Sequence, residues 1–220
     1  RQLEKELVNF TQQHPNPRII IVLRKHSDWI RSHYKRVVKN GFSGQFSEFY
    51  SSGLAGTIWK REDLELFPKI KMIEKYSVHK PLVLLYTDLL ADASSFIDSI
   101  CLYTTTKINQ DAISFEKVHT SYSENQLLVV RRFSQFFRIG LKSDFNHGLK
   151  NWLFFRPWWI LFHLVLYTGR LVPSRFISKQ PLISKEELKQ IDLDFGEDWG
   201  KVLDYVDKQN LIANTAATNS

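Results

Sequence analysis

The sequence predicts an α/β domain in which a parallel sheet is flanked by helices. Residues 18–24 and 81–86 contain short apolar runs rich in Ile, Val and Leu. These runs do not alternate with polar residues, which is typical of strands buried on both faces of a parallel sheet. Segments with apolar residues at helical spacing lie before, between and after the two runs. Alternation of helices with buried strands favours the α/β class.

Each element is predicted from local signals. His14-Pro15-Asn16-Pro17 ends the first helix, Ser27 or Asp28 can cap the second, and Ser184-Lys185-Glu186-Glu187 has the form of a capping box. In chain order we predict a helix over 1–13, a strand over 18–24, helices from residue 27 or 28 to about residue 39, over 46–50 and over 61–77, a strand over 81–86, helices over 94–103 and 122–139, an apolar segment over 152–167, and a helical region from 184.

The composition describes one ordinary domain. The chain has 220 residues, of which 43% are hydrophobic and 14% aromatic, so disorder is excluded as its main state. We expect a single domain over residues 1–212 and a disordered tail over 213–220. One cysteine, Cys101, excludes an intramolecular disulfide and favours a reducing, cytoplasmic location. The seven histidines show no paired ligand spacing, so no metal site is expected.

The net charge is +7, and the basic excess lies in residues 1–183. A basic domain suits an anionic partner, such as a nucleotide, a phosphate, a nucleic acid or a lipid headgroup. A solvated basic surface with no such partner would have the same composition.

The first strand-to-helix junction carries the strongest chemical signal. Ligands of α/β proteins bind at the carboxyl ends of parallel strands, and a helix N-terminus there attracts phosphate. Arg24 ends the first strand and adds a planar fork that suits phosphate oxygens. Ser32, just past the first turn of the next helix, adds a hydroxyl donor. The junction therefore indicates a phosphate site.

Residues 15–34 resemble the 3′-phosphate-binding strand and helix of sulfotransferases that use 3′-phosphoadenosine 5′-phosphosulfate (PAPS). In that family the strand ends in Arg, with Asp four residues later and Ser eight residues later. Arg24, Asp28 and Ser32 occupy these positions. The family usually has Pro two residues after the Arg, where this chain has His26.

Weaker similarity covers most of residues 1–210. Residues 44–49 look like the family's Phe-x-Glu-Phe segment. Tyr86-Thr87-Asp88-Leu89 is similar to its second strand end, Tyr-Glu-Asp-Leu, with Thr87 in place of Glu. Residues 184–199 resemble its closing helix, in which an acidic residue and a Trp recur near the end.

The resemblance implies a P-loop-NTPase-like sulfotransferase fold and the transfer of a sulfuryl group from PAPS to a hydroxyl or amine, without a metal. By the same resemblance, Arg24 and Ser32 would hold the 3′-phosphate of PAPS and of the product PAP (adenosine 3′,5′-bisphosphate). The acceptor stays open among carbohydrates, lipids and small molecules, and no nucleic acid is expected.

The family's second donor site is not recognisable in this sequence. In the family, a loop rich in Gly, Ser and Thr and carrying a Lys cradles the 5′-phosphosulfate. Residues 51–57 have a similar composition but lack Lys, so we interpret them as a plain loop. No catalytic base is assigned, because nothing supports His14 in that role. We expect an N-terminally incomplete fold, the C-terminal portion of a sulfotransferase, that alone turns over no substrate.

The segment over 152–167 contains seven aromatic residues among sixteen and is interrupted by Arg156, Pro157 and His163. It is too short and too polar for a membrane span. Three interpretations stay open: a core helix with a basic rim, a peripheral membrane helix, or an apolar acceptor pocket.

Two alternative functions follow from these features. The basic charge and the aromatic segment are compatible with a non-catalytic module that binds anionic membrane or nucleic acid. A different phosphate-binding α/β enzyme, such as a kinase, would need a Walker-type loop, which this sequence does not contain.

Overall fold

The computed structural model describes residues 2–54, 59–109, 113, 122–137, 156–173 and 180–218. Within these residues the chain is mostly helical, with two short strands. In chain order the elements are α1 (Gln2–Gln13), β1 (Ile20–Leu23), α2 (His26–Lys39), α3 (Phe46–Leu54), α4 (Arg61–Leu64), α5 (Phe67–Tyr76), β2 (Leu82–Leu85), α6 (Tyr86–Ala91), α7 (Ala93–Thr104), α8 (Glu124–Phe137), α9 (Arg156–Thr168), α10 (Lys185–Asp194) and α11 (Gly196–Thr218).

The two strands form a parallel pair, with Ile20 opposite Leu82 and Leu23 opposite Leu85. Parallel pairing and an α/β arrangement are therefore confirmed, although the sheet has only two strands among the described residues. Leu82 to Leu84 are buried, as predicted. In β1 the prediction of burial on both faces is wrong, because the side chain of Val22 is half-exposed.

The free edge of β2 is closed by a side chain. The amide of Gln209 accepts a hydrogen bond from the Val83 backbone N–H (2.9 Å) and donates one to the Val83 carbonyl oxygen (3.2 Å). These are the two groups that a further strand would pair with, and leaving them unpaired would destabilise the fold. At this position, α11 therefore replaces a third strand.

The contacts divide the chain into two compact units, where the sequence predicts a single domain over 1–212. The first unit comprises residues 1–26, 62–117 and 192–220, and the second comprises 27–61 and 118–191.

The first unit holds the sheet between two layers of helices. On one face, Leu23 and Val83 pack with Ile70 of α5 and Val202 of α11. On the other face, Leu82 and Leu84 pack with Phe96 of α7. The predicted flanking of the sheet by helices is present in this unit.

Two apolar groups stabilise the described part of the second unit. An aromatic cluster forms between α2 and α3, where the buried ring of Tyr34 lies edge-on to Phe46 and tilted to Phe49. Separately, α9 packs on α8. In that contact Phe162 and Leu166 are fully buried with Val130.

The end of α9 approaches α8 closely. The buried amide of Gln126 donates to the Leu166 carbonyl oxygen at 3.0 Å, which satisfies one of the last carbonyls of α9. A Cβ at Gly169 would lie 3.2 Å from the Gln126 Cα, so a residue without a side chain suits this approach.

Several boundaries differ from the predictions, and both strands are shorter than predicted, over Ile20–Leu23 and Leu82–Leu85. A helix, α6, begins directly after β2, where no helix is predicted, and the helix predicted over 61–77 is divided into α4 and α5. The helix predicted over 46–50 continues to Leu54, so the interpretation of residues 51–57 as a loop is wrong for residues 51–54. Near the C-terminus, α11 continues to Thr218 instead of ending before a disordered tail over 213–220. No helix among the described residues has the length and hydropathy needed to cross a bilayer.

Two substitutions in α9 test the packing of the second unit. We expect Phe162→Ala to lower the free energy of unfolding by about 3–5 kcal/mol, because it leaves a cavity in the contact with α8. Leu164→Ala, at an exposed position of the same helix, should change it by less than about 0.5 kcal/mol. Urea unfolding followed by circular dichroism measures both, and equal losses would contradict the assigned burial.

Candidate functional site

Arg24 is predicted as the last residue of the first strand, and the structure places it one residue later, directly after β1, at the carboxyl end of the two parallel strands. Its guanidinium carbon lies 4.8 Å from the centroid of the Tyr86 ring, and Tyr86 is the first residue after β2. Its buried Nε has no hydrogen-bond partner among the described residues. A buried donor without an acceptor is uncommon in folded proteins. Arg24 therefore offers donor capacity at the edge of the sheet where α/β proteins bind ligands.

The turn after Arg24 is held by His26, which is 5% exposed. The imidazole stacks on Phe195, with ring centroids 4.5 Å apart and planes 4° from parallel, and it meets the Trp199 ring edge-on. Its Nε2 lies 3.1 Å from the Leu64 carbonyl oxygen and 3.3 Å from Oδ2 of Asp198. Both neighbours are acceptors, so Nε2 carries the proton.

Asp198 joins this turn to the start of α5. Its two carboxylate oxygens accept hydrogen bonds from the backbone N–H groups of Leu66 (2.8 Å) and Phe67 (3.0 Å). A carboxylate at a helix N-terminus satisfies unpaired donors and interacts favourably with the helix dipole. Asp198 therefore caps α5 from α11 and faces His26 at the same time.

Burial is the main cause that lowers the pKa of His26 below its usual value of 6.5. The Asp198 carboxylate and the hydrogen bond with Leu64 oppose this shift without reversing it. The imidazole is therefore a neutral, packed group of the turn at neutral pH. A second contact beside it joins Lys25 to Asp192 of α10, with Nζ 2.8 Å from Oδ2.

Ser32 lies on α2, and its side chain is exposed. It belongs to the second unit, whereas Arg24 belongs to the first. Asp28, the other position of the motif, forms an ion pair with Arg31 one turn later on α2 (3.0 Å). An exposed hydroxyl on a solvent-facing part of the helix is accessible to a ligand.

Other candidate segments are described only in part. The loop interpreted over 51–57 begins within α3, and its residues 55–57 lie outside the described residues. In the apolar segment over 152–167, residues 152–155 lie outside them as well. Among the described residues, no three His, Cys, Asp or Glu side chains are grouped so as to hold a metal ion.

Sequence reasoning missed the roles of His26, Tyr86 and Asp198. In the sequence, His26 is notable only because the family usually has Pro at this position. The residues that contact His26 are distant in sequence, so their contacts could not be predicted. The recurring acidic residue and Trp of the closing helix were the available signal, because Asp198 and Trp199 are two of the residues that contact His26.

A cavity of about 900 Å³ lies at the opposite, amino end of β2. Its walls come from α5, α11 and the residues around Pro81, and they are mostly apolar with four lysines, Lys71, Lys80, Lys201 and Lys208. Lys71 and Lys201 are paired with Glu74 and Glu197. With these lysines, the cavity is an alternative to Arg24 for binding an anionic ligand among the described residues of the first unit.

Comparisons of the chain with protein families, curated proteins and solved structures find no match.

Removal of the Asp198 carboxylate should destabilise the first unit. We expect Asp198→Ala to lower the free energy of unfolding by about 1–3 kcal/mol, because the N–H groups of Leu66 and Phe67 lose their acceptor. Asp204→Ala removes the same charge from an exposed position of α11 and should change it by less than about 0.5 kcal/mol. Urea unfolding compares the two variants, and equal effects would contradict the capping role.

The lowered pKa of His26 makes stability depend on pH in a defined direction. Below pH 6.5 the unfolded chain binds a proton that folded His26 does not yet bind, so acid favours unfolding. The free energy of unfolding should therefore fall as the pH decreases from about 7 to about 5. Burial lowers the pKa of His33 too, so this residue contributes in the same direction.

The variant His26→Gln isolates the contribution of His26, because it keeps an N–H donor but cannot titrate. Urea unfolding at a series of pH values should show a shallower decline for this variant than for the unmodified chain. Parallel curves would mean that His26 is not buried as described.

Proposed function

We propose that the chain belongs to a PAPS-dependent sulfotransferase and supplies the site for the 3′-phosphate of the donor. The observation that carries this proposal is the placement of Arg24 at the carboxyl end of a parallel strand pair, with a buried Nε that has no partner among the described residues. A guanidinium is a planar, permanently charged fork that matches phosphate oxygens.

The contact between Arg24 and Tyr86 supports a nucleotide rather than inorganic phosphate. A cation–π contact uses the ring face and leaves the N–H donors of the guanidinium available. Tyr86 also places an aromatic side chain beside the charge, and an aromatic surface next to a phosphate-binding group suits a nucleotide. Residues 86–89 resemble the end of the family's second strand in sequence, but here they form the start of α6 after β2, and Tyr86 is the residue of this segment that contacts Arg24.

Ser32 is the second residue assigned to the 3′-phosphate, and this assignment rests on the resemblance. Its exposed hydroxyl and its place on α2, eight residues after Arg24, are compatible with the role. Asp28, engaged with Arg31, is a structural residue of α2 in this proposal.

The reaction is a direct transfer. A sulfur–oxygen bond to the phosphate of PAPS breaks, and a bond forms between the same sulfur and the acceptor oxygen or nitrogen. The acceptor loses its proton to a base, and PAP leaves with the electron pair of the broken bond. Such transfers depend mainly on positioning and on stabilisation of charge. Arg24 and Ser32 contribute by holding the donor's far end, and no described residue is assigned as the base.

Calorimetric titration with PAP tests the proposal. We expect the unmodified chain to bind PAP and Arg24→Ala to bind it about tenfold to a hundredfold more weakly, the effect of removing a charged hydrogen bond of about 1.5–3 kcal/mol. Adenosine 5′-monophosphate, which lacks the 3′-phosphate, should bind weakly to both proteins and show little effect of the substitution.

Lys208→Ala is the matched control, because it removes one positive charge from the cavity at the other end of β2. It should leave PAP affinity unchanged. Equal PAP affinity in Arg24→Ala and the unmodified chain, or a loss confined to Lys208→Ala, would overturn the assignment.

A non-catalytic module for nucleic acid or anionic membrane is the second candidate function. The concentration of positive charge in the second unit, which has 17 Lys and Arg against six Asp and Glu, favours it. Binding to nucleic acid with steep salt dependence and no binding of PAP would support this candidate over the first.

A further inference from the structure

We propose that α9 docks the second unit on the surface of an anionic lipid membrane. The docking face is an apolar stripe formed by Ile160, Leu164, Tyr167 and Leu171, which are 61%, 56%, 61% and 80% exposed. This proposal does not rest on the nucleotide site, which lies on other elements.

The stripe and the packed face lie on opposite sides of α9. At 3.6 residues per turn, Ile160, Leu164 and Tyr167 fall on one side of the helix. Phe162 and Leu166, which are fully buried against α8, fall on the other. Leu171 continues the stripe in the turn that follows the helix, where its N–H bonds the Thr168 carbonyl oxygen. Packing against α8 therefore buries the face of α9 that carries Phe162 and Leu166, and the stripe on the opposite face stays exposed.

A helix that is apolar on both faces needs a second apolar environment. Residues 157–169 contain no Lys, Arg, Asp or Glu, whereas an exposed helix face in a water-soluble unit is normally charged or polar. Contiguous exposed apolar surface of this kind marks an interaction site.

The length of α9 determines how it meets a bilayer. Its 13 residues extend about 20 Å, less than the roughly 30 Å hydrocarbon core. The helix therefore lies in the interface plane, with the stripe among the acyl chains and the α8 contact facing the protein.

Charge identifies the kind of membrane. The second unit carries 17 basic and six acidic side chains, whereas the first carries 13 and 17. Exposed Arg170 lies two residues after the end of α9, and Arg132 is exposed on α8. Anionic lipids attract such a basic surface. The same positive charge would repel a second copy docked through this unit. A nucleic acid would bind the basic side chains but would leave the aliphatic stripe exposed.

Vesicle flotation tests the proposal with the full chain. We expect binding to vesicles of phosphatidylcholine with phosphatidylserine, much weaker binding to phosphatidylcholine alone, and a fall in binding as salt increases. The double variant Ile160→Ser/Leu164→Ser should bind the anionic vesicles at least about tenfold more weakly, because two apolar side chains no longer enter the interface.

The double variant Leu90→Ser/Leu102→Ser is the matched control, since both residues are comparably exposed (59% and 71%) but lie in the first unit. It should bind vesicles like the unmodified chain. Circular dichroism checks that both variants are folded, and PAP titration should be unaffected by the α9 substitutions.

Three outcomes would overturn the proposal. The first is undiminished vesicle binding by the α9 variant. The second is a stable dimer of the unmodified chain, detected by light scattering, that the α9 substitutions dissociate. The third is salt-dependent binding to an oligonucleotide with no binding to vesicles. Failure of PAP binding alone would affect only the proposed function.

Discussion

The first unit depends on a carboxylate that serves two segments at once. Asp198 accepts the first N–H groups of α5 and faces the imidazole of His26, which ends the turn after β1. Phe195 and Trp199 enclose the same imidazole. Because these residues come from one short stretch around the start of α11, that helix fixes both the entry into α5 and the exit from β1. Loss of the contact between Asp198 and His26 would leave the backbone next to Arg24 less firmly held.

The packing around His26 and the pairing of β1 with β2 hold the backbone of Arg24 in place. A guanidinium can select a phosphate only if its backbone is held, since a mobile side chain loses much of the gain as ordering entropy. Here β1 is paired with β2 up to the residue before Arg24, and the packed imidazole follows two residues after it. In the sulfotransferase family that residues 15–34 resemble, a proline usually occupies that second position, where this chain has His26. A buried, hydrogen-bonded His26 provides rigidity by packing where a proline would provide it by its ring.

Local patterns predicted much of the fold, because they are recorded in short windows of sequence. The apolar runs predicted both strands, and the capping box at Ser184 forms as expected, with the Glu187 N–H bonding its hydroxyl at 3.1 Å. Contacts between residues that are distant in sequence have no local pattern from which they could be predicted. The amide of Gln209 pairs with the Val83 backbone from 126 residues away, and the exposure of Val22 is seen only in the fold. The division into two units depends likewise on contacts between distant segments.

The candidate site divides in the same way. The motif identified Arg24 and Ser32 as candidates, whereas the aromatic contact with Tyr86 and the support from Asp198 could be seen only in the fold.

A crystal structure of the full chain with adenosine 3′,5′-bisphosphate is the most direct test of the central claim, that Arg24 binds the 3′-phosphate. We predict that the 3′-phosphate lies within hydrogen-bonding distance of the Arg24 guanidinium, at the carboxyl end of β1. A nucleotide bound instead beside Lys208, at the amino end of β2, would contradict it.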